Sequence, residues 1–528
     1  MSSVQINPEL DFWQHFEVTK EDLDFINNHL FELETPQTTE QLLEALVLFR
    51  IQKEKAALTK KKQEEGRLYL PKETYKINDS VLFSALNWQA GKVTAIRPGI
   101  NPEYSPFKVM DVEFKNGEVR SFATEYADHP LNLPQDSLAG LEYLDKDFVL
   151  SQYSAVLIKK LEEVLTLDED LVLTTGVWFP RALLVDINVG HLNLAEAILD
   201  MAGGGPITTP SLMSQLDLPT DVNHSLIEFS LNLKLQEDPR FDEVGPSGEV
   251  LWFLEKLEPE NVRTVPVYLQ YREESIDRSL FDVQMLRAEK QMDDEFSPVD
   301  SSIPRQDEVQ VILTYPHWRA GTLPLSNRTD HLFPTSFESP RIKFLFVDND
   351  IKITIPGWVV RPHHYVVGLR DWYLENGVIP GSIITIRKAN SAGDVGVSAN
   401  KRRPVKEWAR TALVAADGIV VLALLKQQIN TVYDERMTTV IPDIDALDQV
   451  WAQTGKQYSN SEQSIVRIAK ELTKLNPQGH FHALELYSAV NVIKRCPLQL
   501  VFHHLANNTA FSHVGDMYYR LIDGSEQE

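Results

Sequence analysis

The stretch Asp238–Phe253, DPRFDEVGPSGEVLWF, decides how this chain is read. Its β runs, PRFDEVG and then EVLWFL, close a compact helical unit that runs from Asn193 to about Leu235. LNLAEAILDMA forms a first helix, TPSLMSQL a second and VNHSLIEFSLNLKLQED a third. Asn193 and Thr209 serve as N-caps, because their side-chain oxygens accept first-turn amides. Gly203-Gly204-Gly205-Pro206 ends the first helix; no Gly-Lys-Ser/Thr follows, so it is a turn and not a phosphate loop. The stretch has an echo. Phe241-Asp242-Glu243-Val244-Gly245 with Trp252 and Phe253 answers to Phe511-Ser512-His513-Val514-Gly515 with Tyr518 and Tyr519, each after a long helical pattern.

Three helices followed by a β-hairpin is the layout of a winged helix. Through AEAIL, PITTPSL and DPRFDEVGPSGEVLWF, the unit resembles the winged-helix (HARE-type) family. That family occurs in the delta subunit of bacterial RNA polymerase and fused to restriction and chromatin-associated proteins. The segment from Ile465 to Leu521 resembles a second, more degraded copy. In such folds the third helix enters the major groove. In the first unit it offers Asn223, His224, Ser225 and Lys234 against Glu228, Glu237 and Asp238, which leaves a protein-contact or structural role equally open. Lys494, Arg495, His503 and His504 make the second unit the better DNA candidate.

The middle of the chain carries another resemblance. GTLPLSNRTDHLFP leads to RIKFLFVDNDIKITIPGWVV and then HHYVVGLRDWYLENGVIPGSIITIRK. This order is similar to the DNA-binding pseudobarrel of plant transcription factors and of some restriction-enzyme recognition domains. The resemblance implies two reading arms: Ser326, Asn327 and Arg328, then Arg361, His363 and His364. Arg grips guanine O6 and N7 bidentately and Asn does the same to adenine. Arg387, Lys388, Lys401, Arg402, Arg403, Lys406 and Arg410 form a phosphate-holding rim. Within KRRPVKEWAR (401–410), Trp408 either stacks on an unpaired base, worth about 1–3 kcal/mol, or packs as an ordinary core or rim residue.

Residues 20–64 read as helical, ending at Gly66, and Tyr75 to about Ala127 as short β runs. Lys115-Asn116-Gly117 predicts a type I′ hairpin turn. These runs resemble a small five-strand barrel of the SH3 or tudor type, in which Phe83, Trp88, Tyr104 and Phe107 line a shallow pocket or fill the core. A helix follows over 146–166. After the first winged unit come a strand, VPVYLQY, a helix near 276–290, and an acidic link, DDEFSPVDSSIPRQDE, read as a domain boundary.

Charge is uneven. The net charge is −25, and the first fifty residues hold ten acidic against two basic side chains, whereas residues 351–420 hold ten basic against five acidic. What matters for nucleic acid is where positive charge sits rather than its sum. Cys496 is the only cysteine, which excludes intrachain disulfides and cysteine-pair zinc sites. No apolar run approaches the roughly 20 residues that span a bilayer, and the N-terminus lacks a signal-peptide pattern. These features indicate a cytoplasmic protein without membrane contact. Asp79, Asp111, Glu113 and Lys115 echo a metal-dependent nuclease, but Glu-x-Lys is too common to specify one. His480, His482, His503, His504 and His513 match no zinc spacing.

The expected fold class is α+β and multidomain: a small β barrel, two winged helices and a β-rich pseudobarrel. The expected divisions are an acidic helical segment (1–70), the barrel (71–135), the first winged helix with its preceding helix (146–260), a connector and acidic linker (261–307), the pseudobarrel (308–450) and the second winged helix (461–523). The expected function is a non-enzymatic bacterial DNA-binding or transcription-associated protein, with neither cofactor nor metal. It would meet double-stranded DNA through the basic pseudobarrel face, helped by the C-terminal winged helix, while its acidic surface meets RNA polymerase or another protein. The alternatives are a scaffold on the transcription machinery without DNA contact, and a recognition component of a restriction or defence system.

Overall fold

One pattern, helix–strand–helix–helix–strand–strand, is built three times along this chain. The computed structural model describes residues 12–522 apart from 66, 84–85, 87–88, 101–105, 133–141, 220, 247, 338, 349, 390, 392 and 459. Gly66, Trp88 and Tyr104, singled out above, lie outside these residues. The chain divides into two compact units, Met1–Val185 with Val222–Leu226, and Asp186–Asp221 with Ile227–Glu528. Among the described residues no helix is long and apolar enough to cross a membrane.

The first copy begins with α1 (Lys20–Leu33), β1 (Gln37–Thr38) and α2 (Thr39–Glu65). A five-stranded sheet is then inserted: β2 (Arg67–Leu68), β3 (Ser80–Phe83), β4 (Gln89–Pro98), β5 (Lys108–Phe114) and β6 (Val119–Thr124), neighbours in that order. α3 (Lys146–Leu165), β7 (Leu171–Thr174) and β8 (Val177–Pro180) complete the copy, with strand order β1-β8-β7. The sequence separates 20–64 from 146–166; the structure joins them. Ile26 and Leu30 of α1, Leu42 and Leu46 of α2, and Leu157 and Leu161 of α3 share one core with Trp178. Each helix has an apolar stripe that is buried only against the others. In the β5–β6 turn Gly117 takes φ +80° but Asn116 does not, so the turn is not type I′. Gly117 N donates to Phe114 O and Phe114 N to Glu118 O, a hairpin with glycine in the left-handed position. Phe83 belongs to the core of this sheet and Phe107 is half-buried.

The second copy comprises α4 (Val189–Met201), β9 (Ile207–Thr208), α5 (Thr209–Met213), α6 (His224–Glu237), β10 (Phe241–Glu243) and β11 (Leu251–Leu254), with strand order β10-β11-β9. Its N-caps are Asn188, which accepts from Gly190 N at 2.8 Å, and Thr208, rather than Asn193 and Thr209. Asn193 instead lies inside α4 and accepts from Arg240 Nη1. Gly203 follows the helix cap in the left-handed conformation, φ +71°, and Gly205 permits a close approach of the backbone: a Cβ there would lie 2.5 Å from Trp252 O.

Beyond the second copy, VPVYLQY forms a 3₁₀ turn (Val267–Leu269) and not a strand, and the expected helix is α7 (Val283–Met292). β12 (Glu308–Ile312), α8 (Tyr315–Ala320), β13 (Thr322–Pro324), β14 (Arg341–Asp348), β15 (Ile353–Val360), β16 (Tyr365–Val367), α9 (Arg370–Glu375), β17 (Ile383–Lys388) and β18 (Asp394–Ser398) follow. Their seven-stranded sheet has the order β12-β17-β18-β14-β15-β16-β13, and β14 pairs β18 in parallel. β19 (Lys401–Val414) and β20 (Val420–Thr431) form a separate antiparallel ribbon, then α10 (Ile444–Gln457) leads into the third copy. This is α11 (Ser461–Thr473), β21 (His480–His482), α12 (Ala483–Ile493), α13 (Leu498–Asn507), β22 (Phe511–Gly515) and β23 (Tyr518–Leu521), with strand order β21-β23-β22.

The acidic link does not separate two cores. A single hydrophobic cluster runs from Phe281 through the seven-stranded sheet to Tyr519, and Asp293 and Asp294 are buried within this unit. Burying carboxylates requires partners, and the sequence does not show that Arg328 supplies one to Asp293, Tyr487 one to Asp294 and Arg495 one to the neighbouring Glu295.

The copies share an internal polar contact. Trp178 Nε1 donates to Thr39 Oγ1 at 3.0 Å in the first, and Trp252 Nε1 to Thr209 Oγ1 at 3.0 Å in the second. The registers match: Gln37 pairs Trp178, Ile207 pairs Trp252, and Phe481 pairs Tyr519. In the third copy Ala483 and Tyr519 occupy these places.

The third copy caps α12 with His482, whose Nδ1 accepts from Leu484 N at 3.1 Å. Burial, then the charge of Arg436, pushes this imidazole down to about 4. Its unfolded value is about 6.5, so the unfolded chain binds the extra proton between those values. The stabilising contribution is therefore present above about pH 6.5 and lost toward pH 4, on the order of 3 kcal/mol in all. Thermal unfolding at pH 7 and 4.5 checks this: wild type should lose more stability than His482→Ser, which caps without titrating in this range.

Candidate nucleic-acid interface

The ribbon β19·β20 is the structural setting of KRRPVKEWAR. Its turn places Gly418 at φ +77°, and Gly418 N donates to Ala415 O at 2.9 Å. From Val405 to Val414 the register is regular, so Lys406 faces Gln428, Trp408 faces Lys426 and Arg410 faces Leu424. Opposed residues lie on one face of a ribbon, which puts Lys406, Trp408 and Lys426 together. Residues 409–412 are buried, whereas Lys401, Arg403, Lys406 and Lys426 are exposed. Trp408 is 65% exposed, and Lys426 Nζ lies 5.4 Å from its ring centre.

Arg402 is held by Glu407 at 2.6 Å and lies over the Tyr433 ring, and the Tyr433 hydroxyl donates to Glu407. This is the only ion pair made by the ribbon among the described residues. Among the described residues Lys401, Arg403, Lys406 and Lys426 have no carboxylate partner, so they can take phosphate without first breaking an ion pair. Lys426 is absent from the expected rim. Its signal is a lysine inside the otherwise apolar and neutral strand VVLALLKQQINT, which becomes meaningful once that strand pairs with 401–414.

The other expected residues divide differently. Asn327 donates to Asp293 Oδ1 at 2.9 Å and to Pro298 O, while Arg328 uses its amide and Nε on Asp293 and its Nη2 on Gln291 O. Both fasten the acidic segment to the sheet instead of forming a reading arm. Arg361 is likewise occupied, by Asp330 at 2.5 Å and the carbonyls of Phe333 and Pro334. His363 and His364 are exposed beside it, and Lys388 is exposed at the end of β17. Arg387 pairs with Glu308 at 2.8 Å. In the third copy Lys494 donates to Ser461 Oγ, and Arg495 is 1% exposed against Glu295, so Arg495 offers nothing to a phosphate. His503 accepts from Asp277 N at 3.1 Å, and burial lowers the His504 imidazole.

Arg410 is also interior, 7% exposed, yet its environment differs. Nε donates to Thr439 Oγ1 at 3.0 Å and Nη2 to Arg436 O at 2.7 Å. Nη1 has no partner, and no carboxylate ion-pairs with this guanidinium, among the described residues. Burial lowers it to about 10, against the charges of Glu485 and Asp434. The side chain lines a cleft of about 750 Å³, with Trp408 and Leu424 from the ribbon and Leu472, Leu475 and His480 from the third copy.

The nuclease-like carboxylates serve local structure. Asp79 accepts from Lys76 N at 2.8 Å, and Asp111 accepts from Ser121 Oγ at 2.5 Å. Among the described residues no three His, Cys, Asp or Glu side chains are grouped to hold a metal. No family model, curated protein or solved structure matches this chain.

Proposed function

We propose that this chain is a non-enzymatic, transcription-associated DNA-binding protein that meets duplex DNA through the exposed part of the β19·β20 ribbon. One observation carries the reading: in a chain of net charge −25, this ribbon displays four cations without ionic partners among the described residues, and two of them, Lys406 and Lys426, sit beside an exposed tryptophan. The major groove admits a two-stranded ribbon, and phosphate neutralisation supplies sequence-independent affinity. The thrice-repeated helix–strand–helix–helix–strand–strand topology supports winged helices as scaffold modules, the inserted five-stranded sheet supports the small barrel, and the seven-stranded sheet supports the pseudobarrel. The acidic N-terminal region then repels stray nucleic acid or meets a protein such as RNA polymerase.

A second reading has its own observation. Val405, Leu424 and Leu425 are exposed on the same ribbon, at 45%, 45% and 37%, which suits a protein partner of the transcription machinery. The substitutions Lys401→Ala, Arg403→Ala, Lys406→Ala and Lys426→Ala, combined, separate the two. If DNA is the ligand, fluorescence anisotropy should show affinity falling at least tenfold for every duplex sequence, with a shallower salt dependence. Unchanged duplex affinity would refute the ribbon as the DNA contact.

A further inference from the structure

We propose that the cleft beside the ribbon is a nucleotide-binding site, with a phosphate on Arg410 Nη1 and the base against Trp408. A buried charge without a counter-charge is costly, and proteins normally pair it. Arg410 is more than nine-tenths buried, has two of its three nitrogens fixed by Thr439 and Arg436, and leaves the third without a partner among the described residues. Glu485 and Asp434 act on it through their charges without forming an ion pair, so an anion entering the cleft supplies a direct ion pair and an acceptor for Nη1. The two fixed nitrogens hold the guanidinium in place, so binding does not have to order a long side chain.

Three carboxylates also line the cleft, and two are committed. Glu407 accepts from Arg402 and Tyr433, and Glu485 accepts from His482 N at 2.8 Å. Glu435 is exposed and has no described partner, so it can accept from the exocyclic amino group of a base.

The aromatic component comes from Trp408, two residues before Arg410 on the same strand face. Strand geometry sets their Cα atoms about 6–7 Å apart, the order of the separation between base and 5′-phosphate in a mononucleotide. Leu424, Leu472 and Leu475 supply apolar wall, and the volume of about 750 Å³ falls within the range of small-molecule sites. The inference does not depend on duplex binding, because the four unpaired cations are not among the cleft's lining residues.

Calorimetric titration of the full chain with AMP, adenosine, inorganic phosphate and an eight-residue oligothymidylate tests it. AMP should bind, with adenosine and phosphate each at least tenfold weaker. Trp408→Ala, at an exposed position, should weaken AMP about five- to a hundredfold. Arg410→Gln should abolish the preference for AMP over adenosine, and its melting temperature shows whether the fold persists. Binding of the oligonucleotide but not AMP, lost in Trp408→Ala, would assign the cleft to a nucleotide within a strand by the same contacts. No binding of either, or a Trp408→Ala protein that binds like wild type, overturns the proposal; neither result touches the duplex reading, whose quadruple variant keeps Trp408 and Arg410.

Discussion

Arg495→Ala is expected to destabilise the C-terminal part of the chain by about 3–5 kcal/mol. The guanidinium is buried, donates to Glu295 and to Asn491 Oδ1 at 2.9 Å, and lies 4.7 Å from the Phe296 ring centre. Glu295 also meets His317 Nε2 at 3.1 Å, and His317 Nδ1 continues to Thr322 Oγ1 at 2.8 Å. Beside it Tyr487 donates to Asp294 Oδ2 at 3.0 Å. Burial pushes the Glu295 carboxyl up, but Arg495 and then His317 overcome this and hold it well below the usual carboxylate range. Burial, then the charge of Glu295, raises Asp294. Removing Arg495 strands the Glu295 charge in the interior, so the cost reflects an uncompensated ion more than one lost contact. Pairing Arg495→Met with Glu295→Gln should therefore recover much of the loss. Urea unfolding followed by circular dichroism checks this, and a double variant no more stable than Arg495→Met alone would count against the stranded-charge explanation.

The second large effect concerns the contact shared by the first two copies. Trp252 is fully buried and its indole N–H is shared by Thr209 Oγ1 at 3.0 Å and Asn232 Oδ1 at 3.2 Å. Trp252→Ala should cost about 3–5 kcal/mol through the cavity it leaves. Thr209→Val keeps the shape but removes an acceptor from the indole and a donor to Asn232, which Thr209 reaches at 2.6 Å, and should cost about 1–3 kcal/mol. Thr39→Val should behave alike, because Trp178 makes the same bond there. Thermal unfolding of the three variants measures this; a neutral Thr209→Val would show that the bond adds nothing beyond packing.

The second copy was legible because its signals are local: a glycine run, a Thr-Thr-Pro helix start and a short hairpin within one stretch. The first copy was not, since the inserted sheet separates α2 from α3 and removes the sequence proximity on which pattern reading depends. The candidate site divides the same way. KRRPVKEWAR was visible as charge, and alternation along a strand is enough to place Lys406, Trp408 and Arg410 on one face. Burial was invisible: nothing in the sequence distinguishes exposed Arg403 from interior Arg410. Nothing local marks Asn327 and Arg328 as taken, because their partner Asp293 lies in the acidic link that reads as a domain boundary, nor Arg361, whose partner Asp330 is 31 residues away. Asp293 is reached only after the chain folds back across the sheet, a long-range contact to which no periodicity points.

The most direct test of the account is the salt dependence of duplex binding by the full chain. Each phosphate neutralised adds about 0.9 to the slope of log Kobs against log salt. A slope of about −3 to −4, reduced toward zero when Lys401, Arg403, Lys406 and Lys426 are replaced by Ala, is the predicted result. Absence of duplex binding at low salt, or a slope unaltered by the four substitutions, would contradict it.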